Sequence, residues 1–183
     1  MSRAASTEAE TTGELADVPF SAIYHGPLPR AAQTARLIAA SLPGVPVSAC
    51  ELAGDYLPSV PDADGLPPQF ASFLAGFSAA ERADGQQRAA AALERFARPD
   101  SAQDGTQYEL VVTHNLLIGW LVSQSLDAPA WRWMGLNQMN CALTILAYRP
   151  GWPAGLVSFN DAGHLPPELR WTGFPAEARP VSG

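Results

Sequence analysis

Three histidines, eleven arginines and eighteen acidic residues carry the chemistry open to this chain, which has no lysine. A Walker-A lysine, a Schiff-base lysine and a lysine general base are therefore excluded. Any anion site must be built from arginine, histidine and backbone amides. The candidates fall at a recurring place. His25 and Arg30 follow the first strand-like segment, Glu51 and Asp55 the second, and His114 the third. In open α/β sheets ligands bind beyond the carboxyl ends of the strands. Arg30 falls in the first turn of a helix, where the dipole disfavours a cation and favours an anion. There it can join helix amides in holding phosphate or carboxylate; an exposed arginine paired with a nearby acid is the plainer alternative. His114 lies between a strand and a helix, placed to bind phosphate or exchange protons near neutral pH. A turn residue bonded to backbone is its alternative. His164, in NDAGHLPP, reads on its own as a structural loop histidine. Trp131, Trp133 and Met134 read as core.

Composition limits the classes. At 183 residues one domain is expected. Apolar residues make up 47% and charged residues 16%, a globular balance. A net charge of −7 argues against nucleic acid as a partner. Apolar runs fall far short of the roughly 20 residues that span a bilayer, and residues 1–20 hold no secretory apolar stretch. Cys50 and Cys141 offer neither a metal spacing nor a disulfide framework. The expectation is a cytoplasmic protein with no metal, no cofactor and no membrane partner.

The elements that must position the candidates follow from patterning. Strands are expected at 18–24, 45–52, 108–113, 142–148 and 155–159. Helices are expected at 7–16, 29–41, 69–80, 86–97, 115–126 and 129–136. Pro29 suits a first helical turn, and Asp84-Gly85 is read as a break between two helices. Residues 53–68 form a Pro/Asp/Gly loop, long enough to suggest a rim over the site. Strands alternating with helices predict a three-layer α/β/α fold with one mixed, mostly parallel sheet. Residues 1–174 form the expected domain and 175–183 a loose tail.

IYHGPLPRAAQTARLIAASLPG, VVTHNLLIGWLV, LNQMNCALTIL and FNDAGHLPP together resemble, in order and spacing, the histidine phosphatase (phosphoglycerate mutase-like) superfamily. DGQQRAAAALERF and RPGWPAGLVSFNDAGHLPPELR resemble its serine/threonine phosphatase branch. The resemblance covers about residues 18–170. It implies hydrolysis of phosphomonoesters through a phosphohistidine, without metal, on a phosphorylated small molecule or phosphoprotein. Arg30 takes the family's second-arginine place and His114 its second-histidine place. Asp55 is the match for the general acid, with Glu51 as alternative. His25, Asn115 and His164 are expected among the phosphate- or substrate-binding groups. A homo-oligomer is left open.

The sequence departs from the family pattern at its start. The family's nucleophile lies in an Arg-His-Gly strand, and none precedes residue 18. The chain is thus expected to be truncated relative to the family and to lack the first strand. Residues 108–113 and 142–148 would then lack the strand between them, and turnover would be reduced or absent. Three readings stand: a phosphatase whose nucleophile strand is not in this sequence, a non-catalytic relative that binds phospho-ligands or proteins, and an enzyme rewired to use His25.

Overall fold

Strand β1, Phe20–His25, lies at the centre of a parallel sheet, and its alternation sets the layers. The computed structural model describes residues 15–61, 66–99 and 105–172. Strand β2, Val47–Ala49, pairs with β1 on one side and β3, Tyr108–Val112, on the other, both parallel. Successive strand residues face opposite sides of a sheet. Ile23, fully buried, meets Ala35 and Ile38 of helix α1, Pro29–Ala39. Its neighbour Tyr24 packs on Phe96, 5.9 Å between ring centroids, at the end of helix α3, Ala79–Phe96. A further cluster joins Ala89 and Ala92 of α3 to Leu117 and Leu121 of helix α4, Asn115–Ser125. Helices thus cover both faces, as expected for an α/β fold.

The expected α/β fold is present, and the sheet is divided between residues 108–113 and 142–148, where the resemblance leaves a strand out. Strands β4, Leu143–Ala147, and β5, Gly155–Asp161, pair antiparallel as a separate two-stranded sheet. Among the described residues no ladder joins β3 to β4. Patterning reveals which segments extend, but a ladder needs a neighbour within about 4.8 Å.

Helix α2 spans Pro68–Ala75, and α3 starts earlier than the sequence suggests. Ser78 and Glu81 form a reciprocal capping box: the Ser78 hydroxyl accepts from the Glu81 amide, and the Glu81 carboxylate accepts from the Ser78 amide. Asp84-Gly85 is no break. The helix runs through Gly85, which is buried against the Leu57 backbone, so that a Cβ there would run into the Leu57 carbonyl. Gly85 serves close approach between helix and loop. The second strand is only three residues long, followed by a 3-10 turn, Glu51–Ala53. The expected helix at 129–136 is a 3-10 turn, Arg132–Gly135. Of the expected helix at 7–16 only the last two residues are described, and the tail at 175–183 lies outside the described residues. Among the described residues no helix is long and apolar enough to cross a membrane.

Candidate anion site

Arg30 sits in the first turn of α1, behind Pro29, in a turn that contains no acidic residue. Its Nη2 donates to Asp55 Oδ2 at 2.8 Å and to His114 Nδ1 at 3.1 Å. Asp55 Oδ2 lies 3.9 Å from the same His114 nitrogen. One guanidinium nitrogen thus joins residues 25 and 84 positions away along the chain. The Arg30 side chain is 63% exposed and that of His114 only 6%. The site is a surface cation resting on a buried ring.

Local bonds fix this arrangement. His114 is the N-cap residue of α4, in extended conformation, directly after the end of β3. The Thr113 hydroxyl donates to the Ala53 carbonyl at 2.8 Å, holding the Glu51–Ala53 turn against β3. The Tyr56 hydroxyl donates to the Leu52 carbonyl at 2.7 Å and closes the same loop. Gly26 donates its amide to the Val112 carbonyl at 3.0 Å. A Cβ at Gly26 would lie 3.1 Å from His114 Nε2 and would collide with the Ala53 carbonyl. Glycine therefore lets β1, β3 and the loop converge. Tyr56, Leu57 and Pro58 are buried. The start of the expected rim is a packed wall that presents Asp55, while residues 62–65 lie outside the described residues.

The ring's protonation follows from its neighbours. Burial pushes the His114 pKa down; Asp55 opposes this and Arg30 adds to it. A guanidinium only donates, so Nδ1 of the neutral ring accepts and the proton sits on Nε2. That buried Nε2 has no hydrogen-bond partner among the described residues. The cluster therefore offers an anion one partly exposed guanidinium, a buried imidazole and the start of α4, with a carboxylate alongside.

The other candidates make separate bonds. His25 hydrogen-bonds from Nδ1 to the Gly26 carbonyl at 2.8 Å, and no hydrogen bond joins it to Arg30, Asp55 or His114 among the described residues. Glu51 faces Arg88 at 3.5 Å, and Arg88 also holds Asp84 at 2.8 Å. Asn115 accepts from the Gln138 amide at 2.8 Å and so fastens the loop before β4 to α4. His164 Nε2 is 3.1 Å from the Cys141 carbonyl. Sequence reasoning missed Gly26 and Thr113 as supports of His114; a glycine directly after a strand was the available signal. It also missed Gln138, whose buried side-chain amide has no hydrogen-bond partner among the described residues. A shallow pocket of about 300 Å³, lined by Gln124, Tyr148, Arg149 and Trp152, includes none of the site residues.

Comparison with known proteins adds a family. Residues 4–52 and 66–161 match the model of the histidine phosphatase superfamily (branch 1). The chain is 30% identical over 164 residues to "Serine/threonine-protein phosphatase PGAM5, mitochondrial" of Mus musculus, covering 88% of this chain and 55% of that protein. It is 31% identical over 157 residues to the Caenorhabditis briggsae protein of that name, covering 82% and 52%. The chain thus spans about half the length of the curated relatives it matches. Among solved structures, Bacillus stearothermophilus YhfR superposes with a TM-score of 0.65 at 20% identity, covering 90% of this chain and 85% of that one. The alpha-ribazole phosphatase from Shigella flexneri gives 0.63 at 19%, covering 96% and 86%. These two likenesses speak for the fold alone. The relatives' names are mitochondrial, which overturns the expectation of a cytoplasmic protein. With most of its length matched by the model, and the same fold in its structural neighbours, the chain belongs to the histidine phosphatase superfamily.

Proposed function

We propose that this chain is a phosphomonoester hydrolase domain, spanning residues 1–174, that works through a phosphohistidine on phosphorylated small molecules or phosphoproteins. The observation that carries the reading is Arg30 Nη2 within hydrogen-bond distance of both His114 and Asp55. Arg30 and His114 hold phosphoryl oxygens, since loose phosphoryl transition states need positioning and positive charge. An imidazole forms the P–N bond as the ester P–O bond breaks, and the Asp55 carboxyl gives its proton to the leaving oxygen. Water then attacks phosphorus, the P–N bond breaks, and the carboxylate recovers a proton. Asp55 is preferred for the acid because its carboxylate lies 3.9 Å from His114 Nδ1, with Glu51, beside Arg88, as the alternative. His25, Asn115 and His164 are carried in this proposal as further phosphate- or substrate-binding groups.

The attacking imidazole belongs, in this reading, to an Arg-His-Gly strand not found in this sequence, so turnover by these 183 residues is reduced or absent. The test is para-nitrophenyl phosphate hydrolysis by the chain, beside a version extended upstream by an Arg-His-Gly strand. Activity in the extended protein alone, lost with Arg30→Ala or His114→Ala, supports the proposal. Turnover by the chain itself that is abolished by His25→Ala overturns it in favour of a rewired enzyme. A second reading, a phospho-ligand binder without turnover, is favoured by the ion pair that already engages Arg30 with Asp55. Phosphate binding with no turnover in either protein would establish that reading.

A further inference from the structure

The pocket beside Trp152 lies at the opposite end of α4 from the anion site. His114 caps that helix at its start, while Gln124 and Ser125, at its end, line the pocket. The 11 residues of helix between them span roughly 16 Å at 1.5 Å per residue. Helix α3 ends at the same place, with Leu93 and Ala97 in the wall. The turn between β4 and β5 completes the pocket with Tyr148, Arg149 and Trp152.

That turn is stiff. Pro150 takes its second place and Gly151, at φ 73°, its third, as a type II turn requires. The Trp152 amide closes it on the Arg149 carbonyl at 3.2 Å. The backbone under both side chains is therefore ordered before any ligand arrives, which lowers the cost of binding. The side chains themselves are uncommitted. Trp152 is 74% exposed. Arg149 makes no ion pair among the described residues, in a chain with 18 acidic residues. The half-buried Tyr148 makes no side-chain hydrogen bond among the described residues, and burial pushes its hydroxyl up to about 12, so it keeps a proton to donate. The lining contains no acidic residue. Its negative pole comes from the ends of α3 and α4, because the last carbonyls of a helix lack partners within it.

We propose that this pocket binds a free aromatic α-amino acid as its zwitterion. The carboxylate pairs with the Arg149 guanidinium and accepts from the Tyr148 hydroxyl. The ammonium is held by the carbonyl ends of the two helices. The ring lies against Trp152 and the apolar wall of Leu93 and Pro99. A simple anion would meet the negative pole of the helix ends in a chain of net charge −7, and a simple cation would meet Arg149. A volume of about 300 Å³ stands at the small end of ligand sites, which suits a single ring. The inference stands on this pocket and not on the phosphatase reading.

The test titrates the full chain with L-phenylalanine and follows heat and tryptophan fluorescence. Three analogues each lack one part: 3-phenylpropanoate the ammonium, phenethylamine the carboxylate and L-alanine the ring. Expected is saturable binding of L-phenylalanine in the millimolar range, weaker by about tenfold or more for each analogue. Arg149→Gln and Trp152→Ala should weaken it to a similar degree while keeping the thermal midpoint of the unliganded chain, and Arg30→Ala should leave it unchanged. Absence of saturable binding overturns the proposal. Binding of 3-phenylpropanoate or phenethylamine as tight as that of L-phenylalanine does so too. A loss with Arg30→Ala in place of Arg149→Gln would overturn it by moving the ligand to the anion site.

Discussion

Arg30 donates from Nη2 to Nδ1 of His114 at 3.1 Å, joining the first turn of α1 to the residue that ends β3. The bond makes the ring an acceptor at Nδ1 and leaves its proton on the buried Nε2. Both strand ends must be in register for it to form, because β1 and β3 are neighbours in the parallel sheet.

Stability should decline as acid protonates His114. Its folded pKa lies below the ordinary value of 6.5 because of burial, with Arg30 adding to the depression and Asp55 opposing it. The unfolded chain therefore binds the proton more readily. The contribution of the neutral ring is complete above pH 6.5 and is lost as the pH falls from there towards the folded pKa. Urea midpoints at pH 7.5, 6.5 and 5.5 should drop in that order, and His114→Asn should flatten the slope. A midpoint that rises on acidification, equally in both proteins, would contradict the assignment.

Asp55→Asn should tighten phosphate binding while lowering any turnover. The carboxylate now engages the Arg30 nitrogen that an incoming anion would use. The pair is partly exposed, so its removal is worth no more than about 1 kcal/mol, or roughly fivefold in the dissociation constant. Calorimetry with inorganic phosphate measures this directly. Weaker binding in the variant would mean that Asp55 organises Arg30 for the ligand rather than competing with it.

Gly85→Ala runs against helix propensity. Alanine in a helix interior ordinarily gains about 1 kcal/mol over glycine. Here the new methyl meets the Leu57 carbonyl, and α3 must move off the loop that carries Asp55. A net loss of about 1–3 kcal/mol is expected from overpacking of this kind. Denaturant unfolding decides it, and a stabilised variant would show that the loop yields freely.

Ser78→Ala removes one half of the capping box that starts α3. A loss of about 1 kcal/mol is expected, while Ser78→Asp, which keeps an acceptor at the N-cap, should recover most of it. Equal losses in both variants would place the cost somewhere other than the cap.

Arg30, Asp55 and His114 could be chosen from the sequence because each follows a segment that patterning marks as a strand, and a parallel α/β sheet collects such positions at one end. Their mutual distances could not, since those depend on Gly26 and Thr113, whose roles appear only when β1, β3 and the 51–53 turn meet. His25 shares the strand-end position, yet its ring bonds the carbonyl of the next residue. Gly85 was misread because glycine in a helical pattern can mark either a break or a close contact, and only the Leu57 backbone distinguishes the two. The divided sheet was legible through the resemblance, which leaves out the strand between 108–113 and 142–148, whereas patterning alone marks extended segments and not the ladders between them.

The pairing of β1 with β3 carries a kinetic consequence. Ser21 reaches the Tyr108 carbonyl across 87 positions of chain, and the whole parallel ladder spans a loop of similar size. Closing that loop costs chain entropy before any contact repays it, and non-local pairings of this sort fold slowly. Helix α3, with its own cap, can take shape locally and early. Arg30 and His114 meet only after the slow closure, so the site is a late product of folding. Phosphate in a refolding buffer should therefore slow unfolding and leave the folding rate unchanged.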